Sequence, residues 1–140
     1  MHPPEDPPDK PLEWAPGALK ALQGLDPVVK QDLGYNLRLV QKGLEPGWFK
    51  PLNGYGARVY ELLVDYDTDT YRCVYTVRFP KAVYVLDAFK KKSKRGSEVP
   101  KEIDERIRAR LKAVEAHYKA NYEKEGDNGD QAPAKPSRRR

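Results

Sequence analysis

The sequence predicts an α+β domain in which two N-terminal helices and one C-terminal helix pack with a small twisted antiparallel sheet. Apolar residues recur at helical spacing in residues 27–42 and again after Pro100. Between them lie three runs rich in valine, tyrosine and leucine, joined by short turns. The resulting order, helix–helix–strand–strand–strand–helix, groups the strands together instead of alternating them with helices, which points to an antiparallel meander and not to βαβ units.

Each element has its own local cause. Residues 11–14 are short and extended, suited to an edge strand, and residues 16–25 carry Leu19, Leu22 and Leu25 at helical spacing. Asp26-Pro27 is a helix start, with aspartate as the cap and proline at the first helical position, where its missing N–H costs nothing. Val29, Leu33, Leu37 and Val40 then fall on one face, and Gly43 ends the helix. Residues 47–56 hold Pro51, Asn53, Gly54 and Gly56 and are expected to form a loop. Strands are expected over residues 58–66, 71–79 and 82–89. Pro100 opens the last helix, whose apolar stripe is Ile103, Ile107, Leu111, Val114 and Tyr118.

The chain of 140 residues is long enough for one domain with a modest core, assigned to residues 12–123. Residues 1–11 are rich in proline and acid, and residues 124–140 close on Arg138, Arg139 and Arg140. Neither segment has the apolar surface to offset ordering entropy, so both are expected to be disordered arms. Cys73 is the single cysteine, which excludes a disulfide framework and fits a small buried hydrophobe. Neither a membrane span nor a signal sequence is evident, so a cytoplasmic protein with no membrane partner is expected.

Most motif-like patterns carry no chemistry. Asp65, Asp67 and Asp69 have the spacing that opens a calcium loop, but Thr70 and Thr76 stand where that loop needs glycine and glutamate. A polar hairpin turn is the better reading. His2 and His117 are remote from each other and from Cys73, so neither a metal site nor a histidine acid–base pair is expected, and no cofactor is implied. Gly54-Tyr55-Gly56 lacks the flanking strand and helix of a nucleotide-binding loop.

The basic set is different. Residues 71–94, YRCVYTVRFPKAVYVLDAFKKKSK, run from two strands straight into Lys90, Lys91, Lys92 and Lys94, followed by Arg95. Arg58 opens the first strand and Arg72 lies in the second, so an antiparallel meander can bring these cations to one side of the sheet. Alternation sets Arg72, Thr76 and Arg78 on one face and Tyr71, Tyr75 and Phe79 on the other. Cations with exposed tyrosines suit single-stranded RNA, the charges holding phosphates and the rings stacking on bases. The plainer reading is a sheet edge kept soluble by lysine. The net charge of +5 is compatible with either.

Five segments, GYNLRLVQKG (34–43), KPLNGYGARVYEL (50–62), DTDTYRCVYTVRF (67–79), AVYVLDAFKKKSKRG (82–96) and VPKEID (99–104), resemble the RelE/ParE toxin superfamily and within it the phage-derived, HigB-like branch. The resemblance spans residues 12–114 and rests most specifically on the "YR-x-VY" and "VL-x-AF-x-KKS" pieces in that order. It implies a RelE-like fold. It also implies an endoribonuclease that cuts mRNA in the ribosomal A site and is neutralised by a cognate antitoxin.

In such an enzyme the 2′-hydroxyl attacks the adjacent phosphate while cations stabilise the developing charge. The resemblance carries over Arg72 as a phosphate contact and Lys91, with Lys90 and Lys92, as the cationic group after the last strand. Arg72, Lys91 and Asp87 are taken as the catalytic set, and Arg58, Lys90, Lys92, Lys94 and Arg95, from the basic set read above, as RNA- or partner-binding residues. It departs at Asp87, where HigB-like relatives commonly have histidine. An aspartate beside so many lysines is expected to be ionised, which makes a poor proton donor and repels a phosphate. Asp65, Asp67 and Asp69 likewise stand where other members carry basic residues. Two functions therefore stay open: a ribosome-dependent mRNA interferase, and a non-catalytic RelE-fold phage protein that inhibits a host machine such as RNA polymerase.

Overall fold

A computed structural model describes residues 9–91 and 99–123. The elements are β1 (Leu12–Trp14), α1 (Ala18–Gln23), α2 (Pro27–Gln41), β2 (Phe49–Pro51), β3 (Val59–Tyr66), β4 (Asp69–Thr76), β5 (Val83–Lys90) and α3 (Lys101–Tyr118), followed by a π-helical turn, Lys119–Glu123. The class is α+β, as the segregated pattern predicts. The strands form one sheet in the order β1-β5-β4-β3-β2.

The helix starts follow from their caps. Asp26 Oδ1 accepts from Val28 N at 2.9 Å with Pro27 at the first position, and Val29, Leu33, Leu37 and Val40 are the buried residues of α2. Gly43 at φ 78 turns the chain away beyond the helix end. Pro100 precedes α3 at the cap position, and Ile103, Ile107, Val114 and Tyr118 are buried.

The central meander is antiparallel, with β3 pairing β4 from Val59↔Thr76 to Tyr66↔Asp69 and β4 pairing β5 from Thr76↔Tyr84 to Tyr71↔Lys90. Asp67 (φ 53) and Thr68 (φ 67) make the β3–β4 turn, both left-handed as a tight hairpin requires. The acidic trio is therefore a hairpin turn, with Asp65 accepting from Thr70 Oγ1 at 2.6 Å.

Three expectations need correction. The sheet is not antiparallel throughout, because β1 joins β5 in parallel, Leu12↔Val83 to Trp14↔Val85. Residues 47–56 are not all loop: Phe49–Pro51 pairs with Tyr60–Leu62 as an edge strand, too short for alternation to reveal and ending in a proline that an edge tolerates. Residues 9–11 belong to the fold, with Lys10 N donating to Gln41 O, Val83 N donating to Pro11 O, and Asp9 beside Lys42 at 3.2 Å. Residues 1–8 and 124–140 lie outside the described residues.

Helices cover both faces of the sheet. On one face α2 packs on β3 and α1 on β5, and Val40 meets Tyr60 and Tyr75 around a cavity of about 380 Å³. The other face carries Glu61, Leu63, Arg72, Val74, Thr76, Tyr84 and Asp87 by register, and α3 lies over it. The end of α3 is fastened by Tyr118, stacked on Phe79 at 4.8 Å, and by Tyr122, whose hydroxyl donates to Glu13. Among the described residues no helix is long and apolar enough to cross a membrane.

Candidate functional site

Beneath the first turns of α3 the sheet opens into a cavity of about 520 Å³, lined by Lys50, Asn53, Tyr55, Glu61, Asp104 and Arg108 among others. Each side chain is placed by a different element. Lys50 lies on β2 directly across from Glu61 on β3, so both point to the same face. Tyr55 comes from the β2–β3 loop, and its hydroxyl donates to Asp104 Oδ1 at 2.5 Å. Asp104 and Arg108 are one helical turn apart on α3, joined at 3.2 Å. Arg108 also caps the Tyr55 ring at 4.7 Å and donates to Gly54 O at 3.2 Å.

Glu61 is the unusual group of this cavity. Its side chain is 1% exposed, and its Oε1 lies 3.3 Å from Nε of Arg72, itself 1% exposed. Burial pushes the Glu61 carboxyl above the ordinary glutamate range, while Arg72, Lys50 and Lys91 pull in the opposite direction without cancelling it. Burial and the bond to Asp104 together raise the Tyr55 hydroxyl to about 12. The hydrogen bonds from Tyr55 and Arg108 hold Asp104 below its usual value. The cavity thus combines one carboxyl of raised proton affinity with several cations, an arrangement able to hold an anion and to exchange a proton with it.

The residues singled out in the sequence do not form one surface. Arg72 is inside the sheet beneath Glu61 and not on a solvent-facing side. Lys91 follows β5, its N–H donating to Thr70 O at 2.7 Å, close enough to influence Glu61. Lys90 is exposed beside Asp69 at 3.4 Å. Arg58 does not converge with them: it precedes Val59, at the end of the sheet opposite Lys90, and lines the cavity on the other face. Lys92, Lys94 and Arg95 lie outside the described residues. Asp87 is fully buried, bound to Arg106 and Arg110 of α3.

The expected display of exposed aromatics is also overturned, since Tyr75 and Phe79 are buried and Tyr71 is half-buried. Alternation predicts an open face only where one side of a sheet meets water, and here helices cover both. Glu61 had a readable signal, a lone carboxylate inside the apolar run of residues 59–64. Lys50 and Tyr55 had none, because their role depends on how the β2–β3 loop folds back under α3.

No curated protein matches the chain. The model of the family described as Phage derived protein Gp49-like (DUF891) matches residues 20–117. That match runs from α1 through most of α3 and includes every side chain named for the cavity, so the chain belongs to the Gp49-like family of phage-derived proteins, a family of the RelE/ParE toxin type.

Proposed function

We propose that this protein is the toxin of a toxin–antitoxin pair, of the HigB-like branch, and that it cuts mRNA on the ribosome in the cytoplasm. The observation that carries this reading is Glu61, a carboxyl held above its ordinary range in a cavity that also presents Lys50 and Arg108. RNA as the substrate class is taken from the resemblance to the RelE/ParE toxins, with which membership of the Gp49-like family is consistent. In the reaction Glu61 takes the proton of the 2′-hydroxyl as its oxygen attacks the adjacent phosphorus. The bond to the 5′-oxygen breaks, that oxygen leaves with a proton from the Lys50 ammonium, and a 2′,3′-cyclic phosphate remains. Lys91 and Arg108 stabilise the charge that develops on the phosphate, and Arg72 tempers the proton affinity that burial gives Glu61.

One observation favours the second reading, a non-catalytic inhibitor of host RNA polymerase. Asp87, at the position of the family histidine, has both oxygens occupied by arginine. A purified translation reaction separates the two. Wild-type protein should produce new 5′ ends at A-site codons, and Glu61→Gln should lower the cleavage rate by roughly 10²-fold or more. No such ends, at protein levels that arrest growth, would end the enzyme reading, and recovery of polymerase subunits instead of ribosomal proteins from host lysate would establish the other.

A further inference from the structure

We infer that Asp87 is a positioning residue: it holds α3 at the lateral setting that roofs the Glu61 cavity, and it transfers no proton. The inference rests on the active-site reading above.

Asp87 Oδ2 accepts from Arg106 Nε at 2.9 Å and lies 2.7 Å from its Nη2, a two-point grip on one guanidinium. Oδ1 accepts from Arg110 Nη1 at 3.0 Å and from its neighbour Ala88 N at 2.9 Å. Both oxygens are thus engaged away from the cavity, whose lining does not include Asp87.

Two further features serve the same contact. The β4–β5 register shifts between Val74↔Asp87 and Tyr75↔Val85, which leaves Leu86 as the extra residue of a bulge, and Leu86 O accepts from Arg110 Nη1 at 2.9 Å. Gly17, at φ 86, makes room for the same guanidinium: a Cβ there would stand 2.4 Å from Arg110 Nη2. Strand, bulge and loop all converge on Arg110.

Helical geometry links this contact to the cavity. With Ile103 and Ile107 buried, a turn of about 100° per residue sends Asp104 and Arg108 to one flank and Arg106 and Arg110 to the other. On the first flank Asp104 and Arg108 are tied to Tyr55 and Gly54 over the cavity. On the second, Asp87 holds the helix. Releasing the Asp87 flank lets the roof shift sideways, and about 1 Å of misplacement in such a site costs on the order of 10²-fold in rate.

The test uses Asp87→Asn and, because a buried carboxylate is hard to replace without unfolding, Arg106→Gln at a side chain 41% exposed. Cleavage of mRNA on ribosomes is followed across pH, and amide hydrogen exchange is followed in α3 and in β4. Both variants should lose roughly 10- to 100-fold in kcat with the pH limb due to Glu61 unmoved, and the double variant should be no worse than either alone. Exchange should rise in residues 101–110 and stay unchanged in β4. Asp87→His should cut less than wild type. The proposal is overturned if Asp87→Asn displaces the pH limb while Arg106→Gln does not, if Asp87→His cuts faster, or if exchange in α3 is unchanged or rises equally everywhere. Wild-type protein that cuts no RNA would instead sink the active-site reading, with exchange still deciding whether Asp87 positions α3.

Discussion

At the scale of residues, the Glu61–Arg72 pair sets the character of the site. Both side chains are 1% exposed, so removing Arg72 takes the neighbouring cation from a carboxyl buried inside the sheet. Arg72→Ala should cost about 3–5 kcal/mol in denaturant unfolding, whereas Lys91→Ala, at a half-buried position, should change stability by only about 0.5 kcal/mol. Replacing both Glu61 and Arg72 with leucine should recover most of that loss. Glu61 also gives the fold a pH signature. Its folded-state proton affinity is raised, so its contribution to stability is complete below the ordinary glutamate value of 4.5 and is lost as pH rises through the raised value. The stability of wild type relative to Glu61→Gln should therefore fall from pH 4.5 upward, and a flat or rising difference in thermal melts would contradict the assignment.

At the scale of elements, the β3–β4 hairpin shows local strain accepted for the sake of register. Thr68 sits at φ 67, a left-handed conformation in which a β-branched side chain crowds its own backbone. The turn must be left-handed to match the twist of the strands, and glycine is the residue it favours. Thr68→Gly should accordingly stabilise the protein by about 1 kcal/mol, seen as a higher denaturation midpoint at unchanged slope. The same hairpin keeps Val59 opposite Thr76, which aligns Glu61 and Arg72 on the face beneath α3.

At the scale of the whole molecule, covering the sheet on both faces makes the centre of β4 inaccessible. Cys73 is fully buried and its thiol is pushed up to about 12, first by burial and then by the Asp87 charge. It should resist a thiol reagent at pH 8 until the molecule unfolds, with the labelling rate following the stability of the Thr68 and Arg72 variants. Prompt reaction of native protein would show that the sheet opens locally without global unfolding.

Much of this fold was determined by the sequence on its own. The Asp26-Pro27 cap, the stripes of α2 and α3 and the Val/Tyr-rich strands are short-range signals, each fixed by the conformational preferences of a few neighbouring residues. The pairing of β1 with β5 and of β2 with β3 was not legible, because three-residue strands have no periodicity and are held by partners distant in sequence. The site divides in the same way. Motif pieces along the chain single out Arg72 and Lys91, but that Arg72 is enclosed with Glu61, that Arg58 lies at the opposite end of the sheet, and that Asp87 grips α3 are decided only in three dimensions. Burial and ion pairing depend on which surfaces meet, and a pattern of residue types along the chain does not say which helix will cover which face.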